Sequence, residues 1–279
     1  MKSKKIKFNK EKIDNFAKTI RSSVIKTAYN TGGKNAHIGG ALSMCDILAV
    51  LFTGIINLNI YNFKKPDRDK FILSKGHSTL SYYAVLKELG FITNYELLNY
   101  EKKDSFLFGH PVRNLEKGIE FSTGSLGMGI SLGVGSALAS RVLHKKNKIF
   151  VIVGDGECNE GSVWEAAMCA TKYKLNNLTI IVDKNNLQQT GSTEEIMPNE
   201  GLSNRWREFG WNTKEVNGHD YLEIYNALTD INTDNRPIAI IANTVKGKGV
   251  SIFENNNKWH HNIVTKYDYE LAIQELEQN

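Results

Sequence analysis

The densest chemistry in this 279-residue chain lies in two short polar runs, Gly154-Asp155-Gly156 and Asp183-Lys184-Asn185-Asn186, each closing an apolar stretch. Asp155 offers a hard carboxylate oxygen of the kind that binds Mg2+ or Ca2+, and Asn185 offers an amide oxygen. The flanking glycines let a ligand approach the backbone closely. The free N–H groups of the helix expected after Gly156 favour an anion. With a backbone carbonyl from the loop after Asn185, these groups would supply half an octahedral shell, which a bound diphosphate and water would complete. Gly-Asp-Gly alone is also a common turn, so its pairing with Asn185 carries the idea. Four histidines, His37, His77, His110 and His260, lie in polar turn segments. Imidazole exchanges protons near neutral pH, which suits general acid–base work.

Holding these groups together is a task for strand ends. The runs FILS (71–74), KIFVIV (148–153), LTIIVD (178–183), WNTKEV (211–216) and PIAIIANTV (237–245) are continuous rather than alternating. That pattern belongs to parallel strands covered on both faces. Helices are expected near 10–30, where Ile13, Phe16, Ile20, Val24 and Ile25 share a face, and near 43–53, 78–89, 125–144, 160–173, 200–209 and 220–229. The alternation predicts an α/β fold: a doubly wound, mostly parallel sheet with helices on both faces. Ligands of such sheets sit beyond the carboxyl ends of the strands. Those ends carry Ser74 to His77, Gly154 to Gly156, Asp183 to Asn186 and Thr244 to Gly249. The 28 residues between Gly156 and Asn185 hold one helix and one strand, so Asp155 and Asn185 are expected side by side.

Composition narrows the classes. Hydrophobic residues make up 41% and charged residues 23%, ordinary globular usage that excludes disorder, collagen and coiled coil. No Pro- or Ser-rich linker divides the chain, so residues 1–279 are expected to form a single domain with a basic leader at 1–9. The net charge of +5 is mild and suits an anionic ligand. No basic stripe interleaved with aromatics is present, so no nucleic-acid partner is expected. The apolar run 47–60 is too short and interrupted to span a bilayer, and no secretory signal is visible. Cys45, Cys158 and Cys169 are odd in number and lack Cys-x-x-Cys spacing. A reduced, cytoplasmic protein without disulfides or structural zinc is expected.

Some features are decoys. The run GSLGMGISLGVG (124–135) has dinucleotide-like glycine spacing, but no strand precedes it and no ribose-binding acid follows. Its stripe of Gly127, Ser131 and Gly135 is expected to let a helix approach a neighbour or a cofactor. Tyr82, Tyr83 and the tryptophans are expected in the core or at an interface. His144, His219 and His261 are assigned to surface or loop roles, and the polar stretch 185–201 to a long loop that orders with cofactor and partner.

Gly-Asp-Gly followed at this distance by Asn-Asn resembles the thiamine diphosphate fingerprint. The motifs AHIGGALS (36–43), LSKGH (73–77), FGHP (108–111), STGSLGMGIS (122–131), GDGECNEGSVWEA (154–166), NTVKGKGVS (243–251) and WHH (259–261) resemble those of the transketolase family, in order. The resemblance runs from about residue 10 to 265 and covers the diphosphate-binding half of a transketolase. It implies thiamine diphosphate with Mg2+ (or Ca2+), the metal held by Asp155, Asn185 and the carbonyl of Leu187. It implies that His77, Gly156 and His260 contact the diphosphate and that Gly154, Glu157 and Lys246 also belong to the cofactor-binding set. Gly124, Ser125 and Leu126 match the segment against the cofactor rings. His37, His77, His110 and His260 match the histidines around the reactive carbon and the sugar hydroxyls, and Glu160 and Glu165 match acidic residues at the subunit contact. Ala36, Ile38 and Ser125 depart from frequent Gly, Pro and Pro, which looks like the two-gene form of the enzyme.

In this family the glutamate that activates the aminopyrimidine comes from a second domain, and none follows before Asn279. The expectation is half an active site, completed by a separate pyrimidine-binding subunit in an α2β2 assembly, moving a two-carbon ketol group from a ketose, expected to be phosphorylated, to an aldose. Two other readings stand beside it. One is the corresponding part of a 2-oxo acid dehydrogenase or a deoxyxylulose phosphate synthase, opposed by the four histidines and by the lack of a fused second half respectively. The other is a non-catalytic cofactor-binding paralogue, opposed by the intact Asp155, Asn185 and histidines.

Overall fold

The computed structural model describes residues 8–230 and 234–278. The first seven residues of the expected leader lie outside the described residues. All five expected strands are present: β1 (Lys70–Leu73), β2 (Ile149–Gly154), β3 (Leu178–Lys184), β4 (Asn212–Asn217) and β5 (Ile238–Asn243). They form one parallel sheet in the order β1-β2-β3-β5-β4. Successive side chains of a strand point to opposite faces, and here both faces are apolar. Phe71, Leu73, Phe150, Ile152, Ile181 and Ile240 enter one core cluster, while Ile72, Val151, Val153, Ile180, Val182 and Ile241 enter the other. β4 is an edge strand, with Val216 its one buried residue. Its polar Lys214 and Glu215 discourage edge-to-edge pairing.

The helices are α1 (Lys10–Tyr29), α2 (Gly39–Ser43), α3 (Cys45–Val50), α4 (Thr79–Glu88), α5 (Asn94–Leu98), α6 (Met128–Val142), α7 (Gly161–Lys172), α8 (Thr193–Ile196), α9 (Leu202–Glu208), α10 (Tyr221–Thr229) and α11 (Lys266–Gln278). Asn9 caps α1 by accepting from Lys12 N at 2.9 Å. α1, α3, α4 and α10 contribute to the first core, and α6, α7 and α9 to the second. Among the described residues no helix is long and apolar enough to cross a membrane. The three cysteines are free thiols.

The structure corrects or extends the expectations at four points. The helix foreseen at 43–53 is broken at Met44 and widens at Leu51–Ile55, where Ile56 N bonds Leu51 O at 3.0 Å. Thr53 and Gly54 are weak helix formers there. α11 was not foreseen, because its apolar positions Tyr269, Ile273 and Leu276 are diluted by charge; Tyr29 of α1 stacks on Tyr269 at 4.5 Å. The long polar stretch 185–201 contains a short helix, α8, started by a Ser192–Glu195 capping box. Beyond Gly127 the expected stripe on α6 faces away from the sheet of this chain. Gly135 meets open space and Ser131 is exposed. Instead Gly129 and Gly133 lay the helix on the sheet: an added Cβ would come within 2.5 Å of Ser74 Cα and 2.6 Å of Val151 Cγ2 respectively.

Candidate functional site

Parallel register brings the strand ends level. Gly154 pairs with Asp183, and Asp183 with Ala242. Ser74 N bonds Ile152 O at 2.8 Å, and Thr244 N bonds Lys184 O at 2.9 Å. The ends of β1, β2, β3 and β5 therefore open on one cleft of about 510 Å³.

Asp155 and Asn185 both line it and are both buried. Asp155 Oδ1 accepts from Gly156 N at 2.8 Å and Oδ2 from Asn186 N at 2.6 Å. Asn186 adopts a left-handed φ of 59°, a conformation asparagine tolerates better than most residues. Asn199, from beyond α8, donates to the Asp155 carbonyl at 2.7 Å. Asn185 Oδ1 accepts from Leu187 N at 3.1 Å, and its Nδ2 donates to Asp183 Oδ2 at 3.4 Å. The Leu187 carbonyl accepts from Lys246 Nζ at 3.1 Å. Lys246 also donates to Gln188 O and faces His260 Nδ1, both at 2.9 Å.

Beneath these groups lies a buried ion pair of Lys75 and Asp183. Ser43 Oγ donates to Asp183 at 2.5 Å, and the Thr244 hydroxyl donates to its other oxygen. Burial raises the Asp183 carboxyl, but Lys75 and these hydrogen bonds outweigh that and hold it below the usual carboxylate range. Asp155 lacks such a cation at contact: burial, then the charge of Asp183, push its carboxyl up. Glu157 is also buried and also raised, chiefly by burial. Its oxygens accept from Ser74 Oγ at 2.5 Å, Gly127 N at 2.8 Å and Gly154 N at 3.0 Å, so it clamps three loops together.

The four histidines converge on the same cleft. The His37 ring centroid lies 5.5 Å from His77, 5.8 Å from His110 and 5.6 Å from His260, and His77 and His260 are 5.4 Å apart. Burial, then His261, His110 and Lys246, push His37 down to about 4. Burial and Lys246 lead in pushing His260 down to about 3, and burial and Lys75 hold His77 well below the ordinary value. Lys246 falls to about 8 through burial and Lys75, against the pull of Asp155 and Asp183. Lys75 and Lys246 contribute to lowering these imidazoles, so an anion bound beside them would bring the imidazoles and Lys246 back toward their ordinary values.

Gly124, Leu126, Gly154, Gly156 and Glu160 line the cleft as well. Ser125 is exposed at its rim and Glu165 stands on the exposed face of α7; neither lines it. Two of the histidines assigned to surface or loop roles lie in such segments and also make specific contacts. His219 Nδ1 bonds Asp46 Oδ2 at 2.7 Å, and its Nε2 accepts from Val245 N at 2.8 Å. His261 stacks on His37 with centroids 4.2 Å apart. Sequence reasoning also passed over Lys75 and Gln188. Gln188 lines the cleft beside Gly156, and its buried Nε2 lacks a protein partner. Among the described residues no three His, Cys, Asp or Glu side chains gather as a metal site. A cation here would rest on one carboxylate and neutral oxygens, a sparse hard set that suits Mg2+ sharing a phosphate ligand. The unpaired Gln188 donor and the Lys246 ammonium beside it fit that phosphate.

Residues 13–276 match the family described as transketolase, thiamine diphosphate binding domain. The chain is 40% identical over 266 residues to an apulose-4-phosphate transketolase subunit of Actinobacillus succinogenes, covering 95% of this chain and 96% of that one. It is 38% identical over 242 residues to a 6-deoxy-6-sulfo-D-fructose transketolase subunit of Clostridium sp., covering 86% and 88%. The crystal structure of a transketolase from Campylobacter jejuni superposes with a TM-score of 0.88 at 29% identity, over 97% of this chain and 43% of that longer one.

Proposed function

The chain belongs to the transketolase family through its thiamine diphosphate binding domain, and on that footing we propose that it is the diphosphate-side subunit of a two-chain transketolase, moving a two-carbon ketol group from a ketose to an aldose. The observation that carries the reading is the convergence of Asp155, Asn185, Leu187, Lys246 and four imidazoles on one cleft at the ends of four parallel strands. The relatives just named act on ketoses bearing a phosphate or a sulfonate by their names, which favours an anionic sugar substrate here.

In this reading residues 1–279 form one cofactor-binding unit with a basic leader at 1–9. Asp155, Asn185 and the Leu187 carbonyl would hold Mg2+ or Ca2+. Gly154, Gly156, Gln188, Lys246, His77 and His260 would hold the diphosphate. Bound thiamine diphosphate supplies the electron sink that C–C cleavage needs. The protein's part is to orient and to move protons. His37, His77 and His260 are held neutral, so their ring lone pairs accept hydrogen bonds or a proton from donor hydroxyls as the C–C bond breaks. His110, exposed at the mouth, meets the sugar first. Leu126 and Gly124 form an apolar wall for the cofactor rings, with Ser125 at its rim. Glu160, at the start of α7, and Glu165, on its outer face, would meet the next subunit. The pyrimidine-binding subunit is a separate chain, two copies of each forming α2β2. The setting is cytoplasmic, without nucleic acid or membrane as partner.

The test is reconstitution. The purified chain mixed with the pyrimidine-binding subunit, thiamine diphosphate and Mg2+ should transfer ketol groups from a ketose phosphate, and neither chain should do so alone. Full activity from this chain alone would overturn the divided-site reading.

A further inference from the structure

The local backbone around His37 explains an arrangement that its motif does not. Ala36 and Asn262 form an antiparallel bridge, with Ala36 N on Asn262 O at 2.9 Å and Asn262 N on Ala36 O at 3.2 Å. One step beyond an antiparallel pair lies another, so His37 stands opposite His261 with both side chains on one face. Their rings are nearly parallel, 21° apart, at 4.2 Å. The other three rings around His37 meet it tilted or edge-on, at 57° to 80°. Among the described residues the His37 ring has no hydrogen-bond partner, so these ring contacts set its orientation. His37 lines the cleft and His261 does not.

We propose that His261 is a positioning residue: stacked on the outer face of His37, it holds that imidazole in its place in the cleft. This rests on the reading of the cleft as a ketol-transfer site, although the stacking itself can be tested without turnover. His37 is faced by His77, His110, His260, His261 and Lys246. Burial, then His261, contribute most to keeping its ring neutral. An alanine at 261 removes the ring and opens His37 to water. A phenylalanine keeps the stacked ring and removes the imidazole nitrogens.

The experiment follows the histidine ring signals of the full chain by NMR across pH, comparing the wild type with His261→Ala and His261→Phe. In His261→Ala the His37 ring protons should lose their upfield ring-current shift, and the His37 midpoint should move up toward the ordinary imidazole value. In His261→Phe the ring-current shift should persist. In the complex with the pyrimidine-binding subunit, His261→Ala should lower kcat by roughly threefold to tenfold, the range of an aromatic pair, with cofactor affinity unchanged. His261→Phe should restore most of kcat. Unmoved His37 signals in His261→Ala, or an unchanged kcat, would overturn the proposal. A wild-type complex inactive in ketol transfer would instead strike the functional reading, while the ring signals still decide the stacking.

Discussion

Replacing Lys75 by methionine isolates the buried ion pair that underlies the cleft. Lys75 and Asp183 keep 2% and 0% of their side-chain surface. Removing one member of such a pair leaves an uncompensated charge in a poorly solvated place, a loss of about 3–5 kcal/mol. Asp183 would retain Ser43, Thr244 and Asn185 as donors, which places the loss at the lower end, about 3 kcal/mol. At about 2–4 °C per kcal/mol for a chain of this size class, that is a fall in Tm of roughly 6–12 °C. The assay is urea and thermal unfolding at neutral pH of the wild type, Lys75→Met, Asp183→Asn and the double variant. Replacing both partners removes the stranded charge, so the double variant should recover at least half of the loss of Lys75→Met. A loss below about 1 kcal/mol for Lys75→Met, or strictly additive losses in the double variant, would refute the reasoning.

Gly76→Ala would place a Cβ 2.8 Å from Gly124 N and 2.9 Å from Thr123 C, backbone that cannot swing aside. It should cost about 1–3 kcal/mol and weaken thiamine diphosphate binding by displacing Gly124; unchanged unfolding and calorimetry would contradict this. Asp46 is buried, which raises its carboxyl, but His219 and Arg21 outweigh burial and depress it below 3.8. A depressed carboxylate contributes stability above its unfolded value and loses it as pH falls through the folded one. Asp46→Asn should therefore be destabilised at pH 7 by more than at pH 3.5, and parallel urea stability curves over that range would count against the pair.

The strands were legible because parallel strands buried on both faces need unbroken apolar runs, and Phe150 to Val153 and Ile180 to Val182 leave few other choices. The Asp155–Asn185 pairing was legible because one helix and one strand fill the interval between them. Contacts made across the chain left no local signal. His261 meets His37 through the bridge of Ala36 to Asn262, and no periodicity in either segment announces it. His219 reaches Asp46 over 173 positions, so a loop histidine beside Gly218 gave no hint of its buried partner. Glu157 illustrates a different limit. Its place in Gly-Asp-Gly-Glu suggests a ligand-facing group, and it does line the cleft, but nothing local announces that its oxygens also accept from Ser74, Gly127 and Gly154. Helix α11 escaped notice because its few apolar residues are only meaningful once α1 offers Tyr29 to stack on.

The central claim is that two strand ends hold a divalent ion for a diphosphate. Calorimetric titration of thiamine diphosphate into the wild type and Asp155→Ala, with and without Mg2+, addresses it most directly, alongside unfolding curves to show that both are folded. The expected result is binding by the wild type that depends on Mg2+ and is lost in Asp155→Ala. Equal affinity in a folded Asp155→Ala, or wild-type binding indifferent to Mg2+, would contradict the claim.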